Sequence, residues 1–158
     1  MRLPAAPLAS LVLLALWLGA AILVATVVAP AAFAVLPSRT LAGALVGRVL
    51  PVLFWSGMLV GVAVAMLGRG QAGARASLVS GALLALASAV AELGIGPRIA
   101  ALRSAVGGPM DALDPADPRR QAFGRLHGLS VACLGVGALA ALALLVILLV
   151  LLGRGTAD

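Results

Sequence analysis

The chain has 158 residues, 63% hydrophobic and only 10% charged, with a mean hydropathy of +1.21. Soluble domains carry about 25% charged residues, so this composition excludes a soluble globular fold and implies an integral membrane protein. The net charge of +6 comes from arginines set singly or in pairs, without runs or interleaved aromatics, which excludes a nucleic-acid footprint and matches the ordinary flanks of membrane helices.

Apolar runs of about 20 residues or more each fill most of the length and leave no room for a soluble domain. The expected fold is all-α, an integral membrane four-helix transmembrane bundle. It forms a single domain over 1–158 with helices near 8–36, 39–67, 75–103 and 118–152. Cys133 is the one cysteine and lies inside the fourth run, which excludes an intrachain disulfide and a thiolate metal cluster.

The first run follows Arg2. Ala32-Phe33-Ala34 resembles a signal-peptide cleavage site, but signal cores span about 7 to 15 apolar residues and Leu8 to Ala29 is uninterrupted. A retained helix is therefore expected, bent at Pro30. Ser38 is the expected N-cap of the second helix, with a kink at Pro51. In that helix Gly57, Gly61 and Ala65 recur every four residues, a face that lets another backbone approach closely.

The third helix begins near Ala74 or Arg75. Ser77, Gly81, Ala85, Ser88 and Glu92 follow at alternating helical spacings and line one face, which turns Glu92 toward protein and away from lipid. Gly94, Gly96 and Pro97 loosen the helix just beyond. A Gly-, Pro- and Asp-rich loop leads to Asp117-Pro118, an N-cap with proline at the first helical position. The fourth helix is long enough for its first turns to project past the apolar core of about 30 Å.

An even number of spans puts both termini on one side, expected to be cytoplasmic although the arginine count of the two sides is close to a tie. The expected location is multi-pass in a bacterial inner (plasma) membrane. Glu92 is the only carboxylate inside an apolar run, and a charge near the bilayer centre costs about 2.5 to 3.5 kcal/mol on insertion scales, so it should face a polar partner. Topology brings Arg48, Arg98, Arg125 and His127 to the same end, with Ser130 within reach of His127. The expected arrangement is Glu92 paired with one arginine and hydrogen-bonded to Ser88 or His127.

Trp17-Leu18-Gly19, Ala29-Pro30 with Phe33, Leu36-Pro37, Ala42-Gly43, Val46-Gly47-Arg48, Pro97-Arg98-Ile99, Leu102-Arg103 and the stretch Phe123 to Ser130 together resemble the transmembrane-protein-205-like family, a domain of unknown function. The resemblance covers nearly the whole chain and implies a four-helix membrane protein without an established activity or catalytic residues. No nucleophile and base motif, His-x-x-x-His spacing or phosphate loop occurs, so no enzymatic activity is expected and no cofactor or metal ligand is assigned.

The expected function is to bind or conduct a small anionic ligand, an ion or a proton through Arg48, Glu92, Arg98, Arg125, His127 and Ser130. One alternative is an assembly protein that packs a second copy or another membrane protein against Gly57, Gly61 and Ala65. Another is a metal- or haem-associated protein, for which a single histidine supplies one imidazole only.

Overall fold

The computed structural model describes residues 5–154; Arg2 lies outside them. Four helices are long and apolar enough to cross a membrane: α1 (Ala5–Val35), α2 (Arg39–Leu67), α3 (Ala74–Val106) and α4 (Pro118–Arg154). Only a short 3₁₀ turn, Met110–Ala112, adds to them, and the described residues contain no strand. The protein is an all-helical, multi-pass membrane protein. Sequence neighbours pack together and α1 also meets α4, so the four helices close into a ring.

The helix ends follow local chemistry. Ser38 Oγ accepts from the Leu41 amide at 3.2 Å, satisfying one of the donors that a helix start leaves open. Asp117 Oδ1 accepts from the Arg119 amide at 2.8 Å, with Pro118 opening α4. Gly107, at φ +64°, ends α3 in the left-handed conformation that glycine adopts without strain. Its amide donates to the Arg103 carbonyl at 3.2 Å.

Two prolines follow π-helical turns and one does not. A π-helical turn, Val24–Val28, lies just before Pro30, and another, Val90–Ile95, just before Pro97. A proline has no N–H for the carbonyl four residues back, and in both places the wider turn re-satisfies the ladder. Ala29 donates to Val24 and Gly96 to Ala91, each five residues back. Pro51 lies inside the continuous α-helix Arg39–Leu67, without a π turn before it. Glu92 therefore sits within the π turn itself, where the sequence places the loosening only beyond it.

Small residues line the helix seams, and many large apolar ones face outward. Ser77, Gly81, Ser88, Gly57, Gly61, Gly137 and Ala141 are buried, while Leu16, Leu59 and Leu139 are each about 70% exposed to the lipid side. In a bilayer the tails are as apolar as leucine, so close backbone approach replaces apolar burial as the packing force. Helices α2 and α3 meet most closely. A Cβ built on Gly61 would lie 2.5 Å from the Gly81 carbonyl oxygen and 2.7 Å from the Ala85 nitrogen, and one on Gly81 would lie 3.0 Å from Ala65. Gly57 abuts Ser88 of α3 and Trp17 of α1.

The face formed by Gly57, Gly61 and Ala65 is thus consumed inside the chain. The small faces of α2 and α3 hold the bundle together, as their spacing leads one to expect; the alternative, in which this face receives a second copy or another membrane protein, is corrected, because α3 already occupies it. Trp17 adds a polar bolt. Its ring is 4% exposed, and its Nε1 donates to the Leu53 carbonyl of α2 at 3.0 Å. Leu84 of α3 and Leu144 of α4 complete the core at 0% exposure.

Candidate functional site

Toward the end that carries the α1–α2 and α3–α4 connections, the bundle opens. The last part of α3, Gly96–Val106, packs on α4 and barely touches α2. The gap is a cavity of about 940 Å³, lined by Phe33 of α1, by α2 from Arg39 to Phe54, by α3 from Ala91 to Arg103, by the loop at Gly107–Asp111 and by α4 from Arg120 to Ser130.

Arg103 reaches across this gap. Side chains on a helix lean toward its N-terminus, and for α3 that direction runs from the rim into the bundle. The guanidinium lies against two glycines of α2: a Cβ on Gly43 would sit 3.3 Å from Nη2, and one on Gly47 would sit 3.1 Å from Nη1. Gly43 and Gly47, four apart on one face, leave the room that the guanidinium occupies.

On its other side Arg103 Cζ lies 5.3 Å from the centroid of Phe123, a cation–π contact. Such contacts contribute about 0.5 to 1 kcal/mol when exposed. The Phe123 ring in turn stacks on His127, one turn further along α4, with centroids 6.3 Å apart and planes 6° from parallel. Arg103, Phe123 and His127 therefore form a continuous stack along the α4 wall. Arg103 donates no hydrogen bond and forms no ion pair among the described residues, where the one ion pair is Arg119–Asp117. A guanidinium carries five donors in a planar fork suited to oxyanions, and here they open on the cavity.

Arg120 also lines the cavity, but it is engaged. Its Nη1 donates to the Leu113 carbonyl at 2.6 Å and to the Asp111 carbonyl at 3.3 Å, which ties the α3–α4 loop down at the rim. Arg39 enters from the start of α2. At the opposite, deeper end stand Glu92 and Ser130, beside Phe54 and Ala91. Arginine charge thus collects near the rim, and the deep carboxylate is Glu92.

Of the residues singled out from the sequence, Glu92, His127 and Ser130 line the cavity, and Arg48, Arg98 and Arg125 do not. Those three arginines are exposed on outward faces. The expected pair between Glu92 and an arginine is not formed, and Glu92 has no hydrogen-bond partner among the described residues. The physical reason is rotational. Glu92 and Arg103 both line the cavity, whereas Arg98 sits on an exposed outward face. The Arg103 guanidinium lies at the Gly43–Gly47 level, about 10 Å nearer the rim than Glu92.

Arg103, Arg39, Arg120 and Phe123 were not singled out, though a signal for them exists. Arg120, Phe123, Gly124 and His127 follow the 0, 3, 4, 7 spacing of one helix face, from which Arg125 falls away. Among the described residues no group of three His, Cys, Asp or Glu comes together in a way that could hold a metal ion.

Residues 12–106 match the model of a family described as Domain of unknown function (DUF4149), and the chain belongs to that family. The match covers α1 from its second turn through the end of α3, so it includes Arg39, Gly43, Gly47, Glu92 and Arg103 and stops short of Phe123 and His127. No curated protein and no solved structure matches.

Proposed function

We propose that this DUF4149 protein is a non-enzymatic membrane protein that binds a small anionic ligand in the cavity at its loop-bearing end, with Arg103 as the principal contact. The finer resemblance to the transmembrane-protein-205-like family belongs to this proposal, as does a place in a bacterial inner membrane with cytoplasmic termini. That orientation would turn the cavity mouth away from the cytoplasm.

The observation that carries the proposal is the Arg103 guanidinium, spread between Gly43, Gly47 and Phe123 with no carboxylate of the described residues on it. An arginine retained only for packing or snorkelling extends along the helix toward headgroups. Arg103 leans inward and crosses to another helix. Charge-assisted hydrogen bonds contribute about 1.5 to 3 kcal/mol each, enough to hold a single oxyanion at a partly hydrated site.

The test is equilibrium binding of phosphate, sulfate and short carboxylates to the purified protein, wild type against Arg103→Gln and Arg103→Lys. We expect the glutamine variant to lose about tenfold or more in affinity. Lysine should retain part, since it keeps the charge and loses the fork. Equal binding by all three proteins, or none by the wild type, would overturn the proposal.

A further inference from the structure

Resting on this anion-binding reading, we infer that the ligand is a single-chain anionic amphiphile: an oxyanion head held at Arg103, carried on an alkyl chain that lies in the deeper part of the same cavity and enters from the surrounding leaflet.

Size points away from a bare inorganic ion. A cavity of about 940 Å³ is at the upper end of the range for sites that enclose drug-sized ligands, whereas a water molecule, not much smaller than a simple ion, takes up about 30 Å³. The lining is also sorted by depth. Arginines stand toward the rim, and beyond the Arg103 guanidinium the walls include Leu50, Pro51, Phe54 and Ala91. A ligand that fills the stretch between these arginines and Glu92 is charged at its head and apolar along the part that lies beside Leu50, Pro51 and Phe54.

Access favours the leaflet. Helices α2 and α3 interlock from Gly68 to Gly57 and then part, and the cavity-lining Ala44, Gly47, Pro97 and Ala100 are exposed along that gap. An amphiphile already oriented with its head at the membrane surface would slide in sideways, its head arriving at the depth of Arg103 near the end of the span. Glu92 fixes the polarity of entry. A second anionic group at the bottom would meet its carboxylate, so the head stays at the arginine end.

The same geometry sets a length. From Gly47 to Phe54 is seven residues, about 10 Å along α2. A zigzag of C–C bonds of about 1.5 Å covers that depth in roughly eight carbons. Each buried methylene should raise affinity from water about fourfold, until the chain reaches Glu92 and Ser130.

The experiment titrates inorganic, butyl, hexyl, octyl and dodecyl phosphate against the full-length protein in zwitterionic nanodiscs, with empty discs subtracted. Octyltrimethylammonium serves as the cationic counterpart. We expect affinity to climb about fourfold per methylene from butyl to octyl, then flatten at dodecyl, and to fall at least tenfold in Arg103→Gln. Leu50→Phe, which narrows the chain-bearing section, should remove the gain between butyl and octyl.

Inorganic phosphate binding as tightly as octyl phosphate would leave the anion site standing and overturn the amphiphile. Octyl phosphate binding equally to wild type and Arg103→Gln, or octyltrimethylammonium binding as well as octyl phosphate, would overturn both. The comparison of the two octyl ligands needs only the wild type, so it decides even if Arg103→Gln does not fold.

Discussion

Gly61 and Gly43 lie on the same helix and both border α3, yet they serve opposite ends of the bundle. At Gly61 the neighbour is backbone, the Gly81 carbonyl and the Ala85 nitrogen, and two helices close with no space between them. At Gly43 the neighbour is the tip of Arg103, and the helices stand apart with a cavity around it. A missing side chain brings backbones together when the partner face is also small, and makes a berth when the partner is a long cation. Small residues alone do not tell a seam from a site; what faces them does.

The largest effect should come from the closed end. Gly61→Leu drives a side chain into backbone that cannot yield, and overpacking of this kind costs about 3 kcal/mol. Folded protein should largely disappear from the membrane fraction, or its unfolding midpoint in detergent should drop sharply. Gly43→Ala asks only that a flexible guanidinium move by a few tenths of an ångström and should change stability by about 0.5 kcal/mol or less. Similar losses at both positions would erase the contrast between the two ends.

Glu92 sharpens the contrast from the other side. Among the described residues no arginine pairs with it, so removing its charge should not break a pair. Glu92→Leu is expected to leave the protein as stable or to stabilise it, by less than the roughly 2.5 kcal/mol that insertion scales assign to a buried charge, because the group lines a cavity and is only half-buried. A clear loss of thermal stability would show a structural partner for Glu92 in solution. Trp17→Phe, at the closed end, removes the bond to the Leu53 carbonyl while keeping most of the ring, for an expected loss of about 1 kcal/mol in the same unfolding assay.

The membrane character and the spans were legible because they rest on composition and run length, which no tertiary contact overrides. The small stripe on α3 was equally legible, since Ser77, Gly81 and Ser88 are buried where the helical period puts them. The arginines were harder. Arg48, Arg98 and Arg125 were gathered by axial depth, and depth ignores rotation about the helix. Rotation leaves Arg98 on an outward face and Arg103 on the cavity side, and the π turn that holds Glu92 breaks the even helical step by which this could be counted. The crossing of Arg103 to Gly43 and Gly47 could not be read at all, because it depends on α3 leaving α2 beyond the π turn. The packing use of the Gly57, Gly61 and Ala65 face was legible from its spacing; which helix it meets was not, and the fold shows that it is α3.

At the rim a smaller effect is expected from Arg120→Ala. It releases the Asp111 and Leu113 carbonyls and frees the loop that borders the cavity. Amide hydrogen exchange over 107–117 should speed up several-fold while the core of α3 and α4 keeps its protection, since loops open independently of the bundle. Faster exchange throughout α3 would mean that the loop holds the open end together.

The smallest effect concerns the start of α4. Asp117 Oδ2 lies 2.7 Å from Arg119 Nη2, and Oδ1 accepts from the Arg119 Nε at 3.1 Å and its amide at 2.8 Å. The Arg119 side chain first, and then its amide, lower the Asp117 carboxyl to a pKa of about 2. A carboxyl depressed in the folded state stabilises it fully above its unfolded value of about 3.9, and that contribution fades as pH falls through the folded value. The Arg119 amide resonance should therefore titrate with a midpoint near 2 and be flat over that range in Asp117→Asn, which keeps a cap without a titrating group. A midpoint near 3.9 would mean that the pair does not persist in solution. Because this cap stands at the rim on an exposed turn, its protonation should leave the unfolding midpoint of the bundle almost unmoved. The closed seam of α2 and α3 carries the fold, and the polar contacts of the open end shape only what borders the cavity.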